Sequence, residues 1–445
     1  MHRCRAAFVL PACLLLSFSL ALFAAEPASL GSEHGPASWA QWRGPSGQGY
    51  CEDTRVPLTW SETENLLWKT RLPGKGNSTP IIWGERIFLT AASSDGKQRL
   101  VLCISTRDGK ILWQRAATDN APRERTYPWN GYASASCVTD GQAVYAFFGT
   151  PGLFCYDMDG KLLWKHDFGV FTSAAGWGTA ASPFLFENLV IQCCDNDGAA
   201  ALPKDAQGMK AAPMALMALD KKTGALRWTT PRNQGRGFST PRLMTMADGR
   251  VDLVLNGPLG VWGYDPRTGK ERWHCDRKGD SAHFGEPMPV SNKEMLFVLS
   301  GRPGPCQAIR LPGEGDVTRS HVVWSSVRKG HRDVSSPILW EGRIYTADSR
   351  GGKLSCYDLS RGKELYNARL GGKSLSSPIA LRGTLLFLLD NGVTVILEPG
   401  ETFREVRRNR LGEGKDLDFG ASPAVADGRL FLRSQSYLYC IGAKK

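Results

Sequence analysis

Two adjacent cysteines, Cys193 and Cys194, are the residues of this sequence whose spacing most directly suggests chemistry. Adjacent cysteines can close a strained ring disulfide, and strained disulfides are the ones that take part in redox reactions. The pair follows the run LVIQ at 189–192, which is typical of a β-strand, so strand alternation would turn the two side chains to opposite faces of a sheet. The sequence favours two small residues that close a strand, and it leaves the disulfide open.

Other chemistry-bearing motifs are few. DNDG at 195–198 matches little of the ligand series of a calcium loop and indicates a turn, so no metal site is predicted. The sequence contains no H-E-x-x-H, G-x-S-x-G, Walker loop or C-x-x-C-H haem site. The seven histidines are scattered, and only His283 and His331 fall close to predicted strand starts. Catalytic residues therefore cannot be assigned from motifs.

Internal repetition predicts the elements that position these residues. ALDKKTGALRW at 218–228 recurs as GYDPRTGKERW at 263–273 and CYDLSRGKELY at 356–366. Before each unit, a serine or threonine followed by proline opens an apolar strand, as in NSTPIIW and VSSPILW, and two variant segments complete eight such starts. Four short strands per repeat, joined by glycine-rich turns, predict an all-β fold, an eight-bladed β-propeller of four-stranded blades.

The two ends of the repeat array predict how the ring closes. The eighth repeat, at 422–443, stops before its tryptophan strand, and the missing strand is ENLLWKTRLPG at 64–74, near the other end of the chain. An N-terminal strand is therefore expected to close the last blade, which removes an exposed sheet edge. Tryptophans recurring at one slot are predicted to dock each blade on its neighbour: Trp68, Trp113, Trp164, Trp228, Trp273 and Trp324.

Four further cysteines, Cys103, Cys155, Cys356 and Cys440, share one repeat position that alanine or glycine holds in other blades. Equivalent positions in different blades lie too far apart for disulfides, so we expect small packing residues here.

The segments that enter each innermost strand should converge on one mouth of the central channel. Their polar and aromatic side chains form the predicted ligand site, although solvated loops that cap the channel would have a similar composition. The predicted site residues are Asn77, Asn130, Tyr132, Trp177, Arg236, His283, His331, Asp333, Lys373 and Asp418.

The N-terminus has the pattern of an export signal: Arg3 and Arg5 precede an uncharged stretch that ends near Ala25. We expect a signal peptide at 1–25, an extension at 26–63 and a single propeller at 64–443, in a protein exported to the periplasm or beyond. An uncleaved membrane anchor is the alternative and would be the only membrane contact. The net charge of +12 suits a basic soluble surface, and no motif indicates a nucleic-acid partner.

The unit A-x-D-x-x-T-G-x-x-x-W, best seen at 218–228, resembles the pyrroloquinoline-quinone (PQQ) repeat of the quinoprotein alcohol dehydrogenase-like superfamily. WAQWRGPSGQG at 39–49 is similar to the opening of a group of exported bacterial PQQ-like propeller proteins. The resemblance implies the fold, and in the dehydrogenases PQQ beside a vicinal disulfide, with calcium held by Glu and Asn, an Asp base and an Arg. We could match none of these metal or base residues to positions here, and fold does not carry chemistry.

Two functions follow as hypotheses. The first is an exported, non-catalytic binding or scaffold protein without a cofactor, whose channel mouth takes a protein, peptide or glycan; outer-membrane barrel-assembly lipoproteins are a precedent on this fold, although Cys13 is poorly placed for lipidation. The alternative is a PQQ- and calcium-dependent alcohol or sugar dehydrogenase that uses the same mouth.

Overall fold

The blades of the protein are eight sheets, each with four antiparallel strands. The computed structural model describes residues 38–119, 124–277, 284–301, 304–328, 331–412 and 418–444. Innermost strands of neighbouring blades contact one another, and the innermost strand of blade 8 contacts that of blade 1, so the sheets form a closed ring. The predicted eight-bladed β-propeller is confirmed.

The strands of each blade run outward from the channel. In blades 1 to 4 they are Ile81–Trp83, Arg86–Ala92, Arg99–Ser105 and Ile111–Thr118; Val138–Thr139, Ala143–Phe147, Leu153–Asp157 and Leu162–His166; Phe184–Phe186, Leu189–Cys193, Ala215–Asp220 and Leu226–Pro231; Arg242–Thr245, Val251–Gly257, Gly260–Tyr264 and Glu271–Asp276. In blades 5 to 8 they are Val290–Ser291, Met295–Leu299, Pro305–Arg310 and Val322–Val327; Ile338–Trp340, Arg343–Ala347, Lys353–Asp358 and Glu364–Arg369; Ile379–Leu381, Thr384–Leu388, Val393–Leu397 and Glu405–Arg410; Ala424–Ala426, Arg429–Arg433, Tyr437–Ile441 and Leu66–Arg71. Outside this plan lie Ser38–Trp39, Tyr50–Cys51, Gly315–Asp316 and the 3-10 turns Ala199–Ala201 and Lys204–Ala206.

The N-terminal strand closes blade 8, as predicted. Leu66–Arg71 pairs antiparallel with Tyr437–Ile441, in a register that places Trp68 opposite Cys440 and Lys69 opposite Tyr439. The outermost strand of the last blade therefore comes from the beginning of the chain, and the ring is held shut by main-chain hydrogen bonds.

The shared cysteine position is explained by cross-strand packing. Cys103, Cys155 and Cys440 face Trp113, Trp164 and Trp68 across the two outer strands. The same position is Ala218 in blade 3 and Gly263 in blade 4, again opposite the tryptophan. A small side chain is needed there because a large ring covers it. These three cysteines and Cys356, which lies opposite Tyr366, are free and buried.

The tryptophan rings also contact the following blade. A side chain on Gly109 of blade 1 would lie 2.6 Å from the Trp68 ring, so the glycine leaves room for the ring. The same contact recurs in the pairs Trp113–Gly160, Trp164–Gly224, Trp228–Gly269 and Trp324–Gly362. Trp273 differs because its indole donates to Asp252 of its own blade, at 2.8 Å, and it is fully buried.

Residues 38–51, here called the channel segment, lie within the central channel. Ser38–Trp39 pairs with the free edge of the innermost strand of blade 1, and Tyr50–Cys51 pairs in parallel with that of blade 7. Between these strands the chain turns at Gly44, whose φ is +74° and where a Cβ would lie 2.8 Å from the Trp39 ring. Trp39 is 1% exposed. Part of the predicted extension is thus inside the propeller.

Residues that follow the channel segment pack between blades 7 and 8. In blade 7 the tryptophan slot holds Arg407, opposite Ile396. Trp60 is buried in the apolar cluster that joins blades 7, 8 and 1, and its backbone N–H donates to Asn409 Oδ1 at 3.1 Å. Asn409 in turn donates to the carbonyl of Leu58 at 2.9 Å. The N-terminal residues therefore contribute a buried aromatic side chain to the contact between blades 7 and 8.

The predicted signal peptide at 1–25 lies outside the described residues. Within the part of the chain that the structure describes, no helix has the length and apolar character needed to cross a bilayer.

Candidate functional site: the channel mouth

A ring of hydroxyl groups surrounds the channel where the innermost strands begin. The backbone N–H of Thr79 in blade 1 donates to Ser136 Oγ of blade 2 at 2.9 Å, and the N–H of Ser136 donates to Ser182 Oγ of blade 3 at 2.9 Å. The pattern continues in the pairs Ser182–Thr240, Met288–Ser336, Ser336–Ser377 and Ser377–Ser422. The repeated Ser/Thr-Pro signal therefore reflects bonding between blades as well as strand initiation.

Replacing Ser182 with alanine is expected to lower the free energy of unfolding by about 1–3 kcal/mol, because the N–H of Ser136 is left buried without an acceptor. Denaturant unfolding followed by tryptophan fluorescence measures this change. The control is Ser320→Ala, since Ser320 is exposed and its hydroxyl contacts His321 Nδ1. Equal stability of the two variants would show that the ring contributes nothing.

Above this ring lies a cavity of about 160 Å³. All eight blades contribute to its lining, and Trp42 of the channel segment completes it from within the channel. The Trp42 indole donates to Ser422 Oγ at 3.4 Å. The lining residues that the structure brings together are Trp42, Asn77, Thr79, Trp129, Asn130, Ser134, Ser136, Trp177, Ala180, Ser182, Phe238, Thr240, Glu286, Arg332, Val334, Leu375, Ser377, Gly420 and Ser422.

Three of the predicted site residues, Asn77, Asn130 and Trp177, meet in this cavity. Asn77 Nδ2 donates to the carbonyls of Trp129 and Asn130, at 2.7 and 3.1 Å. Asn130 Nδ2 donates to the carbonyl of Trp177 at 2.6 Å. This chain of amides fixes the mouth loops of blades 1, 2 and 3 relative to one another.

Two predicted residues lie behind the cavity wall. Tyr132 packs under the guanidinium of Arg99, 4.7 Å from ring centroid to Cζ. Arg236 forms an ion pair with Asp197 at 3.0 Å, and its guanidinium lies 5.4 Å from the centroid of Trp177. Both therefore support residues of the mouth without lining the cavity themselves.

His331 and Asp333 belong to a buried charge network. Arg328 forms an ion pair with Asp333 and donates through Nη2 to His331 Nδ1 at 2.9 Å. Burial, followed by the charge of Arg328, lowers the pKa of His331, which keeps the imidazole neutral at pH 7. Between the two residues, Arg332 reaches the cavity and lies 5.9 Å from the Trp129 ring centroid. The network thus positions Arg332.

Lys373 and Asp418 are described by the structure and do not line the cavity. Lys373 is exposed and lies 4.0 Å from Asp390. The carbonyl of Asp418 accepts a hydrogen bond from the N–H of Gln435 at 2.9 Å. His283 lies outside the described residues.

Sequence reasoning missed Trp42, Trp129, Phe238 and Arg332. Trp129 and Phe238 lie in the segments YPWNGY and GRGFST, which enter the innermost strands of blades 2 and 4, so their aromatic character was the available signal. No sequence signal pointed to Trp42, because nothing in the repeat pattern places residues 38–51 inside the channel.

Cys193 and Cys194 take no part in the lining of the cavity. Both are free and buried, and they belong to different apolar clusters: Cys193 packs with residues of blades 3 and 4, and Cys194 with residues of blades 2 and 3. Burial raises the pKa of both thiols, and the carboxylate of Asp195 raises both further.

We expect both thiols to resist iodoacetamide in the folded protein. The reagent cannot reach the buried thiols, and their raised pKa disfavours the reactive thiolate form. Mass spectrometry of the 189–200 region after native and denatured alkylation measures this. Full modification after unfolding is the control. An unreduced peptide lighter by the mass of two hydrogen atoms would instead reveal a disulfide.

The comparison with protein-family models gives the identity of the fold. The model described as "Outer membrane protein assembly factor BamB", a PQQ-type repeat family, matches residues 52–169, 97–274 and 210–304. These matches together span more than half of the chain. The chain belongs to this BamB-like family of PQQ-repeat propellers. Comparison with curated proteins finds no match.

Solved structures share the fold of this BamB-like propeller. BamB from Moraxella catarrhalis is 15% identical, with a TM-score of 0.58 over 85% of this chain and 97% of that chain. A europium-containing methanol dehydrogenase is 12% identical, with a TM-score of 0.66 over 92% and 99%. The quinohemoprotein alcohol dehydrogenase of Comamonas testosteroni is 12% identical, with a TM-score of 0.61 over 92% and 81%. At these identities the similarity concerns the fold alone.

The described residues at the mouth of this BamB-like propeller supply few of the carboxylates that would help to hold calcium beside PQQ. Glu286 is the single carboxylate among the described lining residues. Over the described ranges, no group of three or more His, Cys, Asp or Glu side chains could hold a metal ion. The cavity of about 160 Å³ is also smaller than the roughly 300–1,000 Å³ of pockets that enclose drug-sized ligands.

Proposed function

We propose that this chain is an exported, non-catalytic binding protein whose channel mouth docks a partner protein. The observation that carries the proposal is the form of the mouth: a small cavity, lined from within the channel by Trp42, with aromatic side chains at its edge. A shallow site of this kind suits a side chain of a docked partner better than an enclosed substrate.

Exposed aromatic residues support a protein partner. Trp129 is 40% exposed and Tyr127 is 50% exposed, and their ring centroids are 6.0 Å apart. Large aromatic side chains and arginine are enriched among the residues that dominate binding energy. Arg332 lies against Trp129, so an aromatic group and a cation are presented together.

The family match and the N-terminal sequence support the proposal that the protein is exported and acts in a protein assembly. The family model is described as an outer membrane protein assembly factor, which agrees with a role in a protein assembly. The sequence of residues 1–25 has the pattern of a signal peptide, which agrees with export.

The mouth can be tested by photo-crosslinking. A crosslinking amino acid is placed at Tyr127, and the adducts formed in the exporting cell are compared with those of a Trp129→Ala background. We expect a discrete protein adduct that is reduced at least about tenfold by the substitution, since an anchor residue contributes about 2 kcal/mol or more.

The matched control is Leu226→Ala, because Leu226 is 50% exposed on the outermost strand of blade 3, away from the mouth. An adduct that survives Trp129→Ala but not Leu226→Ala would place docking elsewhere. In a separate assay, PQQ with calcium is expected neither to raise Tm nor to support dye reduction with alcohols or sugars. Positive results in both would identify a dehydrogenase instead.

A further inference from the structure

Two arginines meet inside the channel, below the hydroxyl ring. Arg43, in the channel segment, donates through Nη2 to the carbonyls of Gln48 and Pro337, both at 2.8 Å. Arg242 begins the innermost strand of blade 4 and donates to the carbonyl of Pro289 at 3.1 Å and to Ser291 Oγ at 3.2 Å. Ser291 also donates its N–H to Gln48 Oε1 at 3.2 Å. Arg242 contacts Ser291 and Arg43 contacts Gln48, so the partners of the two arginines are hydrogen-bonded to each other.

Arg242 occupies a position that is apolar in most blades. The residue after the strand-opening proline is Ile81 in blade 1, Phe184 in blade 3, Ile338 in blade 6 and Ile379 in blade 7. Its methylene carbons pack 3.7–3.8 Å from where a Cβ on Gly47 would lie, which brings the side chain against the turn of the channel segment. The packing of blade 4 itself does not require a cation here.

The two charges are buried without a carboxylate. Arg43 is 1% exposed and Arg242 is 5% exposed. Three other buried arginines have acidic partners, in the pairs Arg99–Glu124, Arg232–Asp195 and Arg328–Asp333, whereas Arg433 has none within the described ranges. Neither Arg43 nor Arg242 has an acidic partner among the described residues. A buried charge without a counter-charge is strongly unfavourable.

Three of their N–H groups also lack an acceptor within the described part of the chain: Nε and Nη1 of Arg43 and Nε of Arg242. Burial and then the charge of Arg242 lower the pKa of Arg43 to about 9, and burial lowers that of Arg242 to about 10. Both groups therefore remain cationic at neutral pH. The protein therefore buries two positive charges beside the turn at residues 47–49, with three N–H groups that have no acceptor among the described residues.

We propose that a small monovalent anion of the chloride type binds between Arg43 and Arg242. It would accept hydrogen bonds from the three free N–H groups and offset the two charges. A halide suits the site because both guanidinium groups are buried, which favours a small anion over a bulky one. The anion would join the channel segment to blade 4, and the site is independent of the proposed docking function.

Crystals of the wild-type protein grown in sodium bromide test the site directly. We expect an anomalous bromide peak within hydrogen-bond distance of Arg43 Nε or Nη1 and of Arg242 Nε. Density at this position without anomalous signal, which would indicate water, overturns the proposal.

Thermal unfolding provides the second test. Wild-type Tm is expected to be several degrees higher in sodium chloride than in sodium gluconate at equal ionic strength, because an anion that binds only the folded state stabilises it. Arg242→Ile, which restores the residue type of the other blades, should abolish the difference. The control Arg433→Met removes another buried arginine without an acidic partner, which donates to the carbonyls of Ser78 and Thr90, and should retain it. An unchanged chloride effect in Arg242→Ile would refute the assignment.

Discussion

Replacing Trp39 with alanine is expected to lower the free energy of unfolding by about 3–5 kcal/mol, the range found for truncation of a fully buried aromatic residue. Trp39 is 1% exposed and belongs to the apolar cluster that also contains Ile82 and Leu381. Its loss leaves a cavity beside the innermost strands of the ring, which cannot collapse because each strand is fixed in its own blade. Equilibrium unfolding in guanidinium chloride measures the change.

The matched control is the same substitution at Trp129, which is 40% exposed, and we expect a change within about 1 kcal/mol there. Because Trp42 lies three residues beyond Trp39, the Trp39→Ala variant should also weaken docking at the mouth. Equal destabilisation by the two substitutions would contradict the conclusion that the channel segment is an integral part of the core.

The ring could be predicted from sequence because its signals are local and repeated. Most blades carry the same turn glycine and an aromatic residue at the tryptophan slot, so blade number and the pairing of residues 64–74 with the C-terminal repeat followed from comparison of the repeats alone. The small residue opposite each tryptophan, such as Cys103, is likewise a consequence of one repeated contact.

The channel segment could not be predicted in this way. Residues 38–51 occur once, and their partners are the free edges of strands from blades 1 and 7, which come together only after the ring has closed. For the same reason, Trp42 could not be predicted as part of the site. A sequence pattern with a period of one blade contains no information on what fills the axis.

The polar residues of the mouth were predicted as a group, but their individual roles depend on side-chain direction. Asn77 and Asn130 face the cavity, whereas Asp333 turns back to Arg328 and Arg236 pairs with Asp197. A loop sequence does not distinguish these cases, because the decisive partner is distant along the chain or lies on another strand. Buried ion pairs are therefore the part of the site that required the structure.

Replacing Asp195 with alanine is expected to cost about 3–5 kcal/mol, because it leaves Arg232 as an uncompensated buried charge. The side chains of both residues are 1% exposed, and Arg232 binds both carboxylate oxygens of Asp195, at 2.8 and 3.1 Å. The carboxylate also contacts the loop before blade 4, where a Cβ on Gly237 would lie 2.4 Å from Asp195 Oδ2. Guanidinium chloride unfolding measures the loss of stability.

Two comparisons separate charge burial from loss of packing. Asp427→Ala breaks an ion pair with Arg55 in which both side chains are more than half exposed, and should leave the unfolding midpoint unchanged. The double variant Asp195→Ala with Arg232→Met removes both buried charges and should recover most of the lost stability, since an apolar side chain replaces the unpaired cation. If the double variant were no more stable than Asp195→Ala alone, the cost would come from the packing of the loop before blade 4, and the charge of Arg232 would not be its cause.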